Sequence, residues 1–122
     1  MIINIKGSNF DLTPSIKDYV NKKLESIKKL IDKNDSGAIC DFEVGRTTHH
    51  HRGGDIFRAE INLQTQGETF YSSYEEEDLY TAIDKVKDEI KNRLSNVRNK
   101  KRTLFRRGAS QIKNILKNIR RK

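Results

Sequence analysis

FRAEINLQTQGETFYSSY, residues 57–74, decides the fold. Phe57, Ala59, Ile61 and Leu63 alternate with Arg58, Glu60 and Asn62, the period of a strand with one apolar and one wet face. Gln66-Gly67 marks a tight turn, and Thr69 to Tyr74 returns as a second run of β-formers. Just upstream, Cys40, Phe42 and Val44 alternate with Asp41 and Glu43, so a further strand precedes the pair. Three strands in succession predict an antiparallel meander.

Helical periods flank this block. Leu79, Ile83, Val86, Ile90, Leu94 and Val97 recur at spacings of 4, 3, 4, 4 and 3, which predicts a helix of at least five turns, ending near Thr103. Glu75, Glu76, Glu77 and Asp78 precede it, where negative charge complements the helix dipole. On the other side, Thr13-Pro14 is a helix start, because the hydroxyl accepts an orphan N–H and proline has none to leave unpaired. Ile16, Val20, Leu24, Ile27 and Ile31 then form one stripe, predicting a helix over 14–33 that Asn34 to Gly37 ends. Residues 2–6, IINIK, read as a short first strand. The predicted class is α+β in the order β-α-β-β-β-α. Both helices should cover one face of a four-stranded mixed sheet, with strands 1 and 2 parallel.

The chain has 122 residues, one domain's length. Ile, Leu, Val and Phe number 31, about a quarter of the chain and enough for a small core. With 34% charged residues and a mean hydropathy of −0.85, no run approaches the ~18 apolar residues of a membrane helix, and no signal-peptide pattern follows Met1. A cytoplasmic protein is expected.

Charge is distributed unevenly. Residues 1–89 hold 12 basic and all 17 acidic side chains, whereas residues 90–122 hold 13 basic and no acidic ones, for a net charge of +8. Such asymmetry predicts a polyanionic partner rather than mere solubility. On the second helix Lys87, Lys91, Arg98 and Arg102 fall on one flank of the apolar stripe, and Lys85 and Lys100 on the other, with Arg93 nearer the core edge. On the first helix Lys22, Lys29 and Lys33 share an edge, and Lys23 sits at the core margin. Cations arrayed this way suit phosphates, whose neutralisation releases counterions. Past Gly108, read as a break, Ser110 offers a cap and Ile112, Ile115, Leu116 and Ile119 form a short stripe amid Lys and Arg. Residues 1–103 are therefore expected to be the binding domain and residues 104–122 a basic tail.

Other chemistry is poorly supported. His49, His50 and His51 are adjacent and point in different directions, which disfavours chelation of one ion, and they read as a polar hairpin connection closed by Gly53-Gly54. Cys40, the single cysteine, falls on the core face, away from substrate. No enzyme, metal, cofactor or small-molecule substrate is expected.

Three stretches carry a resemblance. Tyr80-Thr81-Ala82-Ile83-Asp84 follows a charged turn and leads into a long basic helix. Thr13-Pro14-Ser15-Ile16-Lys17 leads to Tyr19-Val20 and Lys22-Lys23-Leu24, and HHHRGGDIFRAEINL spans 49–63. In their order along the chain, over about residues 1–103, they resemble the short form of the ribosome hibernation promoting factor and ribosome-associated inhibitor (protein Y) family. The resemblance implies a fold similar to a double-stranded RNA-binding domain with an added first strand. It implies binding to the small ribosomal subunit and its rRNA near the decoding centre, blocking mRNA and tRNA sites and inhibiting translation under stress. It places rRNA contacts on Lys23, Lys29, Arg98, Lys100 and Arg102. Ser26, Glu89, Asn92 and Asn96 stand where the family is often basic, with Lys22, Lys85, Lys91 and Arg93 on adjoining faces. The candidate RNA-binding set is thus Lys22, Lys23, Lys29, Lys85, Lys91, Arg93, Arg98, Lys100, Lys101 and Arg102.

The tail is too short for the dimerisation domain of long-form members, so a monomer off the ribosome is expected, without ribosome pairing through such a domain. The rival readings are a membrane-surface or protein-interaction module built on residues 110–122, and a general RNA chaperone.

Overall fold

The computed structural model describes residues 1–49 and 54–120, excluding the side chains at 48, 49, 110 and 112–120. Six elements follow in the expected order: β1 (Ile2–Ser8), α1 (Pro14–Lys28), β2 (Ile39–His49), β3 (Gly54–Thr65), β4 (Glu68–Glu76) and α2 (Leu79–Arg120). The sheet order is β1-β2-β3-β4. β1 runs parallel to β2, with Ile5 opposite Phe42, and the other two pairs are antiparallel. Alternation sets the register: Val44 faces Ala59, and Leu63 faces Phe70. The two-residue turn carries positive φ at both Gln66 (52°) and Gly67 (73°), the primed geometry that matches strand twist.

One core joins the layers. Ile16, Val20, Leu24 and Ile27 from α1 and Leu79, Ile83, Val86 and Ile90 from α2 bury against Cys40, Phe42, Val44, Ile61 and Leu63. Both helices therefore lie on the same sheet face. Each such aliphatic side chain removed from water stabilises by about 1.5–3 kcal/mol.

Two helix ends differ from the sequence expectation. α1 stops at Lys28 rather than 33. Leu30 N donates to Ile27 O (2.9 Å) and Ile31 N to Lys28 O (3.2 Å), so the chain tightens into three-residue turns. Both side chains still pack on the core, which is why the stripe continued. α2 does not end near Thr103 and does not break at Gly108; it is continuous to Arg120. A helical glycine costs only about 1 kcal/mol relative to alanine, and its neighbours are strong helix formers. The expected break at Gly108 and Ser110 cap are thus replaced by one 42-residue helix.

The remaining starts match. Thr13 Oγ1 accepts from Ile16 N at 3.3 Å, and Asp78 accepts from Thr81 N at 3.3 Å and its hydroxyl at 2.8 Å. Of the acidic run, Asp78 caps α2, whereas Glu75 and Glu76 belong to β4.

Candidate nucleic-acid interface

The buried stripe of α2 changes chemistry where the sheet runs out. Ile90 and Leu94 are buried and Val97 is half-buried; the next positions on that face are Arg98, Lys101, Arg102, Phe105 and Arg106, at the i, i+3, i+4, i+7 and i+8 spacing of a helix side. Here α2 passes the Gln66-Gly67 turn, and Lys101 Nζ donates to Gln66 Oε1 at 3.1 Å. The opposite wall is the segment after α1. Gln66 Nε2 donates to Asp32 at 3.1 Å, and Gln66 N donates to Asp35 at 2.9 Å. The Thr65 hydroxyl, together with the Gln66 and Gly37 N–H groups, holds the Asp35 carboxyl below the usual carboxylate range. Between the walls lies an open cleft of about 980 Å³, floored by Leu30, Ile31, Phe70 and Leu94. Lys29, Lys33, Arg98, Lys101, Arg102 and Arg106 reach it, against Asp32 and Glu68.

The ten candidate cations fall into distinct environments. Lys29, Arg98, Lys101 and Arg102 meet in the cleft. Lys22, Lys91 and Lys100 are exposed on the helices outside it. None of these seven has a carboxylate partner among the described residues. The other three are engaged. Lys23 pairs with Asp84 at 3.2 Å, which raises its pKa, Lys85 pairs with Glu76, and Arg93 pairs with Glu89 while donating to the Tyr71 carbonyl at 2.6 Å. Lys85 and Arg93 thus spend their charge on β4 and its neighbours.

Glu89, one of the family departures, has a structural use. The Tyr74 hydroxyl, with the Ser72 hydroxyl and Arg93, holds its carboxyl below the usual range, and Ser72 Oγ donates to it at 3.0 Å. Ser26 Oγ bonds back to Lys23 O at 2.8 Å, while Asn92 and Asn96 are exposed. Sequence reasoning missed Phe105 and Arg106 as cleft residues; their signal was the helical spacing from Arg98. It also placed Lys33 on α1, and Lys33 reaches the cleft from the turn that follows.

Burial pushes the Cys40 thiol up to about 12, far from thiolate chemistry at neutral pH. No metal-ligating cluster occurs among the described residues. His50, His51 and Arg52, and the side chain of His49, lie outside them. No helix among the described residues is long and apolar enough to cross a membrane.

The sequence pattern of the family described as "Sigma 54 modulation protein / S30EA ribosomal protein" matches residues 3–102. The chain belongs to that family. The ribosome hibernation promoting factor of Klebsiella oxytoca is 28% identical over 100 residues, 82% of this chain and 96% of that one. The ribosome hibernation promotion factor of Bacillus subtilis (strain 168) is 25% identical over 110 residues, 90% of this chain but 55% of that longer one. Among solved structures, the Thermus thermophilus Protein Y N-terminal domain superposes with a TM-score of 0.66 at 26% identity, covering 80% of this chain and 99% of that domain. A ribosomal subunit interface protein from Coxiella burnetii shares the fold, with a TM-score of 0.59 at 19% identity, covering 81% and 99%. The S30EA match ends at 102, before Phe105 and Arg106.

Proposed function

We propose that this chain is a ribosome hibernation factor that docks on rRNA of the small ribosomal subunit near the decoding centre and inhibits translation by occupying mRNA and tRNA sites. The observation that carries the reading is the cationic cleft between the end of α1 and α2, where Lys29, Arg98 and Arg102 stand without a carboxylate partner among the described residues. Relatives that match 82% and 91% of this chain are named for ribosome hibernation. Residues 1–103 form the ribosome-binding unit, and residues 104–120 are a basic continuation of its last helix. The mechanism is steric and electrostatic: a rigid body is drawn in by phosphate neutralisation and then fills a site. No catalytic step, cofactor, small-molecule substrate or membrane enters it. The protein acts where ribosomes are, in the cytoplasm, as a monomer off the ribosome.

The test is co-sedimentation with purified small subunits across a salt series. With about six phosphates neutralised, log K should fall against log salt with a slope of about −4 to −5. Reversal of Lys29, Arg98 and Arg102, the cleft cations without a carboxylate partner among the described residues, to Glu should abolish binding while the fold persists. A flat salt response, or undiminished sedimentation of the folded triple variant, refutes the reading. Competition by bulk RNA equal to that by intact subunits would assign a general RNA chaperone instead.

A further inference from the structure

We propose that Phe105 is a stacking platform for an unpaired nucleobase, so that the cleft takes a single-stranded segment of RNA rather than a duplex; this rests on reading the cleft as the RNA-facing site. Phe105 is 79% exposed and its neighbour Leu104 63%. Phe105 lines the cleft and has no aromatic or cation–π partner among the described residues. The ring stands one to two turns beyond Arg98, Lys101 and Arg102 and next to Arg106, on the same side of α2.

Two alternatives fit these observations less well. A protein partner or a second copy needs roughly 800 Å² of complementary surface per side, and two exposed apolar side chains ringed by cations do not supply it. Duplex RNA presents phosphates and shallow groove edges, but its base faces are already stacked and offer a phenyl ring nothing. Single-stranded RNA offers both required chemistries: phosphates for the cations, and a π-face for the ring. The cleft is open and, at about 980 Å³, lies at the upper end of the ~300–1,000 Å³ range of ligand clefts.

The experiment measures binding of the full chain to a labelled oligouridine and to an RNA duplex of equal length, across a salt series. Phe105→Ala should weaken oligouridine binding by roughly 5- to 140-fold, leave the salt slope unchanged, and leave the duplex unaffected. Phe105→Trp should retain affinity. Phe105→Leu, which keeps apolar bulk without a π-face, should lose it. Circular dichroism and thermal melting verify that each variant is folded. Oligouridine affinity equal to wild type in Phe105→Ala overturns the proposal, as does an equal loss on both RNAs or full rescue by leucine. A wild-type dimer that Phe105→Ala dissolves without changing RNA affinity would assign the ring to self-association, also against the proposal. Small-subunit sedimentation of wild type is read separately: its absence removes the ribosome from the account while the oligouridine result still decides the stacking site.

Discussion

The Tyr19 hydroxyl donates to the Asp84 carboxylate at 2.7 Å across 65 residues of sequence. Lys23 approaches the same carboxylate, Tyr80 packs edge-on against the Tyr19 ring with centroids 4.7 Å apart, and the Lys23 ammonium lies 5.1 Å from that ring's centroid. This cluster fastens α1 to α2 near the start of α2, and the cleft opens at the other end of the pair. Replacing Tyr19 by Phe keeps the ring and removes the hydrogen bond. The expected loss is about 1 kcal/mol, a fall of about 4 °C in melting temperature for a domain of this size. Thermal denaturation with calorimetry measures it, and an unchanged melting temperature would deny the bond a role.

Glu89 links stability to acid. Its folded-state pKa is lowered by Tyr74, Ser72 and Arg93, so the unfolded chain binds the proton more readily. The stability that this group adds is therefore complete above its ordinary value of 4.5 and disappears as pH falls through the lowered one. Glu89→Gln should destabilise near neutrality, and its deficit relative to wild type should shrink between about pH 6 and about pH 3. Urea unfolding at several pH values gives the comparison; a deficit independent of pH would contradict the assignment.

The unbroken passage of α2 through Gly108 is open to test. A Cβ at this position meets nothing within 4 Å, so Gly108→Ala should strengthen the helix by about 1 kcal/mol locally. Far-ultraviolet circular dichroism should show more helix, and amide exchange around 104–109 should slow. Gly108→Pro should do the reverse. Two variants with identical helix signals would mean that the helix ends earlier.

Cys40 should behave as a sealed thiol. With no solvent exposure and a pKa pushed to about 12, its alkylation at neutral pH should follow global unfolding. Iodoacetamide labelling rates should rise with urea in parallel with the unfolding transition. Rapid labelling of native protein would show that β2 opens locally.

Engaged and unengaged cations should differ in their effect on RNA. Arg98→Gln removes a cleft charge with no carboxylate partner among the described residues, and should weaken small-subunit binding and reduce the salt slope by about 1. Arg93→Gln removes a group already occupied by Glu89 and the Tyr71 carbonyl, and should change stability more than RNA affinity. Equal losses in subunit binding would show that the pairing is given up on docking.

The fold was legible because its signals are periodic: Phe57 to Leu63 in steps of two, and Leu79 to Val97 in steps of three and four. The stop of α1 was not, since Leu30 and Ile31 satisfy the helical stripe while pairing as tight turns. Gly108 misled in the other direction, because a residue that weakens a helix need not end one. Among the cations, spacing identified the flanks but not which charges are neutralised. The Arg93–Glu89 and Lys85–Glu76 pairs depend on where β4 lies beneath α2, a relation that no local pattern contains.

The continuous α2 sets a rigid dimension. At 1.5 Å per residue, Arg98 to Arg120 measures about 35 Å, so any receptor of the folded body must leave a straight corridor along that axis or melt the rod. The pitch also indexes its charges: deleting one residue ahead of Arg98 would rotate every later side chain by about 100° about the axis, disabling the site without removing a single cation.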